Sequence, residues 1–124
     1  MSEYGIVIMS HSADIAQGVH NLLDEVAKDV AITHAGGDGE GGIGTSFDAA
    51  LEMIESNPKD KLLAFFDLGS AKMNLEMAIE MSDKEVKVYT VPVVEGAYTA
   101  AALLQAEATI DMVEAQLLEL KINK

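Results

Sequence analysis

The sequence predicts an α/β fold: a three-layer open sheet, mainly parallel, with strands in the order 2-1-3-4 and helices on both faces. Two observations lead there. Short apolar or β-branched runs alternate with stretches of helical periodicity, giving the order βαβαβαβα. Gly, Pro, Asn, Asp or Ser marks most of the junctions between them. Crossovers of this kind are right-handed and favour parallel neighbours. At 124 residues the chain is expected to form one domain, residues 1–124, with a single real core.

Strand one is Gly5 to Met9 (GIVIM), which stops at Ser10-His11-Ser12. Helix one follows, with Ile15, Val19, Leu22 and Val26 at spacings of four, three and four. Ser12 or Asp14 can cap it. Residues 29–35 (DVAITHA) read as strand two. Residues 36–46 hold six glycines in eleven positions and must form a loop. Helix two runs from about Ser46 to Glu55, with Phe47, Ala50, Leu51 and Ile54 on one face, and Asn57-Pro58 ends it. Strand three, Lys61 to Phe66 (KLLAFF), is apolar throughout after its first residue and so central. Helix three spans about Ala71 to Met81. Strand four, Glu85 to Val91, alternates as an edge strand does, and Pro92 closes it. From Val93 to about Leu120 the periodicity predicts one helix. Its Leu103, Ile110, Val113, Leu117 and Leu120 recur at spacings of seven, three, four and three, nearly a coiled-coil seam. That surplus predicts a long packing helix or a subunit interface.

Composition removes several functions. The net charge of −13 repels phosphate backbones and anionic lipid, so neither nucleic acid nor membrane is an expected partner. Without cysteine there is no disulfide framework, thiolate metal site or cysteine nucleophile. The start, MSEYG, lacks the pattern of a signal peptide, and no apolar run is long enough to span a bilayer. The cytoplasm is the expected location.

In the predicted strand order the winding reverses between strands one and three, and ligands gather at such a switch point. The strands end at His11 and Asp67, 56 positions apart, so both face one crevice. A carboxylate on one ring nitrogen would fix the tautomer and leave the other nitrogen a free lone pair. Ser10, Ser12, Gly69 and Ser70 make small-residue turns at helix N-termini, which suit an anion and phosphate above all. A histidine nucleophile beside a phosphate cradle suggests a phosphohistidine. The same positions also suit an exposed turn histidine and a helix cap, and position alone does not choose between them.

The glycine loop fits two nucleotide patterns incompletely. Gly39 to Gly44 fits GxGxxG but follows strand two, and Asp38 and Glu40 would repel a pyrophosphate. Gly39 to Ser46 lacks the lysine of a P-loop, with Thr45 in its place. A loop rimming the His11 crevice, with Thr45 and Ser46 offering hydroxyls, is the better expectation. His20 is expected to face solvent and His34 to end strand two; no metal site is expected from three histidines without tight spacing. Met53, Met73, Met77 and Met81 read as core filler. A response-regulator receiver domain shares the alternation, and Asp67 fits its phosphoacceptor. Strand one lacks the acidic residues that fold needs, however, and no fifth strand carries its lysine.

Three segments together, GIVIMSHSADIAQGV, GGDGEGGIGTSFDAA and FFDLGSAKMN, resemble the mannose-type enzyme IIA domains of the bacterial phosphoenolpyruvate phosphotransferase system. Within that superfamily the chain is most similar to the branch serving PEP-dependent dihydroxyacetone kinases. The resemblance implies a phosphotransferase with a phosphohistidine intermediate. His11 would take the phosphoryl group on Nε2, Asp67 would orient the ring through Nδ1, and Ser12, Gly69, Ser70 and Thr45 would cradle the phosphate. It implies the histidine phosphocarrier protein HPr as donor, acting in trans. The acceptor would be ADP, held with Mg on a nucleotide-binding kinase subunit, and a third subunit would bind dihydroxyacetone. This chain would carry no cofactor or metal and would pair as a homodimer. The alternatives are an enzyme IIA of a mannose-type sugar transporter and a non-catalytic α/β module that binds an anion.

Overall fold

A computed structural model describes residues 2–124. Strands β1 (Tyr4–Ser10), β2 (Ile32–Gly36), β3 (Lys61–Phe66) and β4 (Glu85–Tyr89) alternate with helices α1 (Ala13–Val26), α2 (Phe47–Ser56) and α3 (Ala71–Met81). Two more helices, α4 (Val93–Gln105) and α5 (Ile110–Glu119), follow β4. The sheet order is β2-β1-β3-β4, as the sequence predicts, and every pairing is parallel.

The sheet divides the core in two because side chains alternate along each strand. Ile6, Ile8, Leu63 and Phe65 point to the layer formed by α1, α4 and α5. Val7, Met9, Leu62, Ala64 and Phe66 point to α2 and α3. β1 and β3 are buried on both faces, and β4 is only half-buried at its edge. The pairing of Met9 with Phe66 aligns the two central strands. It brings the residues just beyond each, Ser10-His11 and Asp67, to one end of the seam.

Four expectations need correction. The single helix over Val93 to Leu120 is two helices, broken where Glu107 takes a left-handed φ of 62° and Thr109 caps α5 by accepting from Met112 N. No Gly or Pro marks the break, and Leu103 and Ile110 carry the apolar period across it. α1 buries Ala16, Val19 and Leu23, while Ile15 and Leu22 are exposed. Val19 is common to both faces, and the inward face is turned by roughly 60° toward Ala16 and Leu23, because a small alanine supplies one of the close contacts. α2 likewise buries Met53, next to Ala50 and Ile54. Of the methionines named as core filler, only Met53 is buried; Met73, Met77 and Met81 are exposed.

Candidate active site

The ring of His11 is held at both nitrogens. Nδ1 lies 3.0 Å from Asp67 Oδ1, and Nε2 lies 2.7 Å from the Ser70 hydroxyl. Asp67 receives three further donors. Leu68 N–H binds Oδ1 at 2.7 Å; Ser10 Oγ–H and the His11 N–H bind Oδ2 at 2.7 and 3.0 Å. Burial pushes the Asp67 carboxyl up, but the hydrogen bonds from His11, Ser10 and the backbone outweigh it and hold it below its ordinary value. An ionised carboxylate only accepts, so Nδ1 must carry the ring proton. The lone pair is then on Nε2, where the Ser70 hydroxyl donates to it.

Local structure explains each placement. Ser12 caps α1, accepting from Ile15 N at 3.3 Å, so Asp14 is not the cap. Ser70 occupies the cap position of α3 yet makes no capping bond, since its hydroxyl is turned to His11. Asp67 therefore is not a helix cap, and its carboxylate is committed to the histidine. The glycine loop reaches the same place from the other side: Gly44 N–H binds the His11 carbonyl at 2.8 Å. Gly37, Gly39, Gly41 and Gly44 take positive φ, which lets the loop fold back on itself. Asp38 fastens it internally by accepting from Glu40 and Gly42 N–H, and those bonds keep its carboxyl below the ordinary value. Thr45 Oγ1 accepts from Asn74 Nδ2 at 2.8 Å, joining the end of the loop to α3.

The structure thus brings His11, Asp67 and Ser70 together and puts Ser12 beside them. Thr45 lies on the loop end tied to α3. The open side of Gly69 faces the backbone of Lys124: a Cβ there would lie 2.8 Å from the Lys124 carbonyl carbon. Of two further participants, Ser10 was read only as a turn residue and Lys124 went unrecognised in the sequence. Ser10 has a signal in the strand register, being the residue after Met9 as Asp67 is the residue after Phe66. Lys124 has none, since nothing local ties a distant lysine to the end of β3. Its ammonium donates to the carbonyls of Phe66, Asp67 and Val91 at 2.6, 3.1 and 2.6 Å.

His20 and His34 lie apart from this site and against each other, with ring centroids 4.9 Å apart. His20 Nδ1 is buried without a hydrogen-bond partner, which corrects its expected solvent-facing position. Burial, aided by the neighbouring His20, pushes the His34 imidazole below its ordinary value. Among the described residues, no group of three or more His, Asp or Glu is arranged to hold a metal ion, and no helix is long and apolar enough to cross a membrane.

Comparison with known proteins agrees with this architecture. The family model described as "PTS system fructose IIA component" matches residues 5–114. A Lactococcus lactis protein, "PTS-dependent dihydroxyacetone kinase, phosphotransferase subunit DhaM", is 54% identical over 98% of each chain. A Listeria innocua protein, "PEP-dependent dihydroxyacetone kinase 1, phosphoryl donor subunit DhaM", is 51% identical over 97% of each chain. A crystal structure of a protein of unknown function superposes with a TM-score of 0.81 at 24% identity, over 98% of this chain and 95% of that one. On a family match that spans most of its length, with full-length relatives at half identity or more, the chain belongs to the mannose-type enzyme IIA family of the phosphotransferase system.

Proposed function

We propose that this chain is the phosphoryl-relay subunit of a PEP-dependent dihydroxyacetone kinase. It accepts a phosphoryl group on His11 from the histidine phosphocarrier protein HPr and passes it to ADP on the nucleotide-binding kinase subunit. The observation that carries this is the asymmetry of the His11 ring: Nδ1 is fixed by an ionised carboxylate, and Nε2 is left as a lone pair behind one displaceable hydroxyl. The names of the half-identical relatives support the choice of kinase.

The transfer follows from the geometry. The Ser70 hydroxyl swings off Nε2 as the donor's phosphohistidine approaches. Nε2 attacks phosphorus in line, the new N–P bond forms, and the donor's N–P bond breaks, returning its electron pair to the donor imidazole. The Nδ1 proton stays on the ring, bound to Asp67, which stabilises the positive charge that develops there. Ser70 Oγ–H, freed from nitrogen, can donate to a phosphoryl oxygen, as can the hydroxyls of Ser12 and Thr45. Reversal of these steps delivers the group to the β-phosphate of ADP, which the partner subunit holds with Mg. Catalysis is positioning and electrostatics, with no covalent chemistry beyond the N–P bond.

Both exchanges occur between proteins, and the surroundings suit that. Leu68, next to Asp67, and Ile43, next to Gly44, are exposed apolar side chains at the site. Homodimer formation would use the α4–α5 face, where Tyr98 and Met112 are exposed along a groove of about 420 Å³. The test is reconstitution with labelled PEP, enzyme I and HPr. Acid-labile phosphate should appear on the wild type and not on His11→Gln. Label on His11→Gln, or none on the wild type, sinks the proposal. Adding the kinase subunits with ADP and dihydroxyacetone separates the kinase from a sugar-transport IIA, because only the kinase relay loses its label to them.

A further inference from the structure

We infer that Lys124 is a positioning residue for phosphoryl acceptance. Its ammonium braces the turn that carries both partners of the His11 ring. This rests on the phosphohistidine role proposed for His11.

An ammonium has three N–H donors, and here each meets a main-chain carbonyl: Phe66, Asp67 and Val91. Phe66 is the last residue of β3, Asp67 holds His11 Nδ1, and Val91 lies in the link from β4 to α4. The lysine thus ties the ends of neighbouring strands at the point where the site begins. Its nitrogen also lies 4.3 Å from the centroid of the Phe66 ring, whose negative face favours a cation. The Lys124 backbone closes on Gly69, so the turn from Asp67 to Ser70 is held on two sides. The preceding chain is tied down as well, with Ile122 N–H on Thr90 O at 3.0 Å.

The brace also acts through charge. Burial pushes the Lys124 ammonium down, and the Asp67 carboxylate works against that. The ammonium in return favours the ionised form of Asp67, the form that keeps the proton on His11 Nδ1. Lys124 does not touch the reacting atoms in this arrangement. It acts by fixing where Asp67 and Ser70 stand.

The test uses Lys124→Met, Lys124→Arg and Lys121→Met. The last removes the same charge from an exposed lysine three positions away. Two readouts are taken on the full chain: the rate of His11 phosphorylation by phosphoramidate, and the nitrogen-15 spectrum of the His11 ring. Lys124→Met should slow acceptance about tenfold or more, as small misplacements of reacting groups do. It should also shift or abolish the Nδ1–H resonance, with Lys121→Met unchanged in both. A purely structural lysine would change thermal stability and leave the ring spectrum alone. Wild-type rate and ring spectrum in Lys124→Met overturn the inference. Should that variant not fold, Lys124→Arg decides. Its planar fork keeps the charge but cannot converge on three carbonyls, so a wild-type rate and spectrum there also overturn it. If the wild type takes no phosphate, the role of His11 fails instead, and the ring spectra still decide whether Lys124 fixes the His11–Asp67 bond.

Discussion

Replacing Asp67 with Asn tests the site at the point where the structure gives the clearest answer. The carboxylate takes two donors on each oxygen: His11 Nδ1 and Leu68 N–H on Oδ1, and Ser10 Oγ–H and His11 N–H on Oδ2. An amide has one oxygen and one NH₂, so one pair of donors must meet a donor. If the NH₂ takes the Oδ2 position, it opposes the His11 N–H while the ring keeps its tautomer. If it takes the Oδ1 position, it opposes Leu68 N–H and requires Nδ1 to become the acceptor. The proton then moves to Nε2, and the nucleophilic lone pair is lost. Either arrangement forfeits a hydrogen bond to a charged group, worth about 1.5–3 kcal/mol. At a factor of ten per 1.36 kcal/mol, acceptance should slow by roughly 10- to 150-fold. Rapid-quench measurement of label transfer from phosphorylated HPr reads the rate, and the nitrogen-15 spectrum of His11 reads the tautomer. Wild-type transfer in Asp67→Asn would refute the assignment of Asp67 as the group that orients the ring.

Further outcomes follow from the same geometry. Asp67 is held below its ordinary 3.8 in the folded state, so its contribution to stability is complete above that value and is lost as pH falls through the folded one. Melting temperature should therefore drop more steeply below pH 3.8 in the wild type than in Asp67→Asn, as read by circular dichroism. Ser70→Ala removes one neutral hydrogen bond at an exposed position, so acceptance should slow about fivefold, with urea stability changed by less than about 0.5 kcal/mol. Asn57 is buried and donates to Ile6 O, Ala31 O and Thr33 Oγ1. Asn57→Ala should cost about 2–3 kcal/mol in urea unfolding while leaving the His11 ring spectrum unchanged. Gly69→Ala places a methyl 2.8 Å from the Lys124 carbonyl carbon, so it should slow acceptance and shift the same ring resonance that Lys124→Met shifts.

The parts of the fold that the sequence revealed are those set by local pattern and by the rules of crossover connections. Apolar runs located the strands, and the doubly wound pattern of alternating strands and helices set their order. That order was enough to bring His11 to Asp67 across 56 positions. What stayed hidden depended on tertiary packing. The break before α5 has no Gly or Pro, only a left-handed glutamate, so periodicity ran through it. The inward face of α1 is made by Ala16, Val19 and Leu23, and a search for large apolar residues passes over its alanine. Ser70 was legible as a small residue at a helix start, but its choice of histidine over capping depends on where the ring sits. Lys124 was invisible for the opposite reason: its three partners lie 33 to 58 positions away, and only the folded chain brings them together.

The span of the His11–Asp67 bond has a consequence for how the protein acquires its activity. The two residues lie on either side of the β1–β3 seam, and that seam joins strands that a helix, a strand, the glycine loop and a second helix separate in the chain. Parallel pairing over such distances is slow, because loop-closure entropy must be overcome before the contacts form. The helices can form early and would account for most of the circular dichroism signal. The Nδ1–H bond to Asp67 cannot exist until β1 and β3 are in register. In a refolding reaction, competence to accept phosphate should therefore emerge with sheet registration and after the helical signal, making His11 chemistry a clock for the last long-range step of folding.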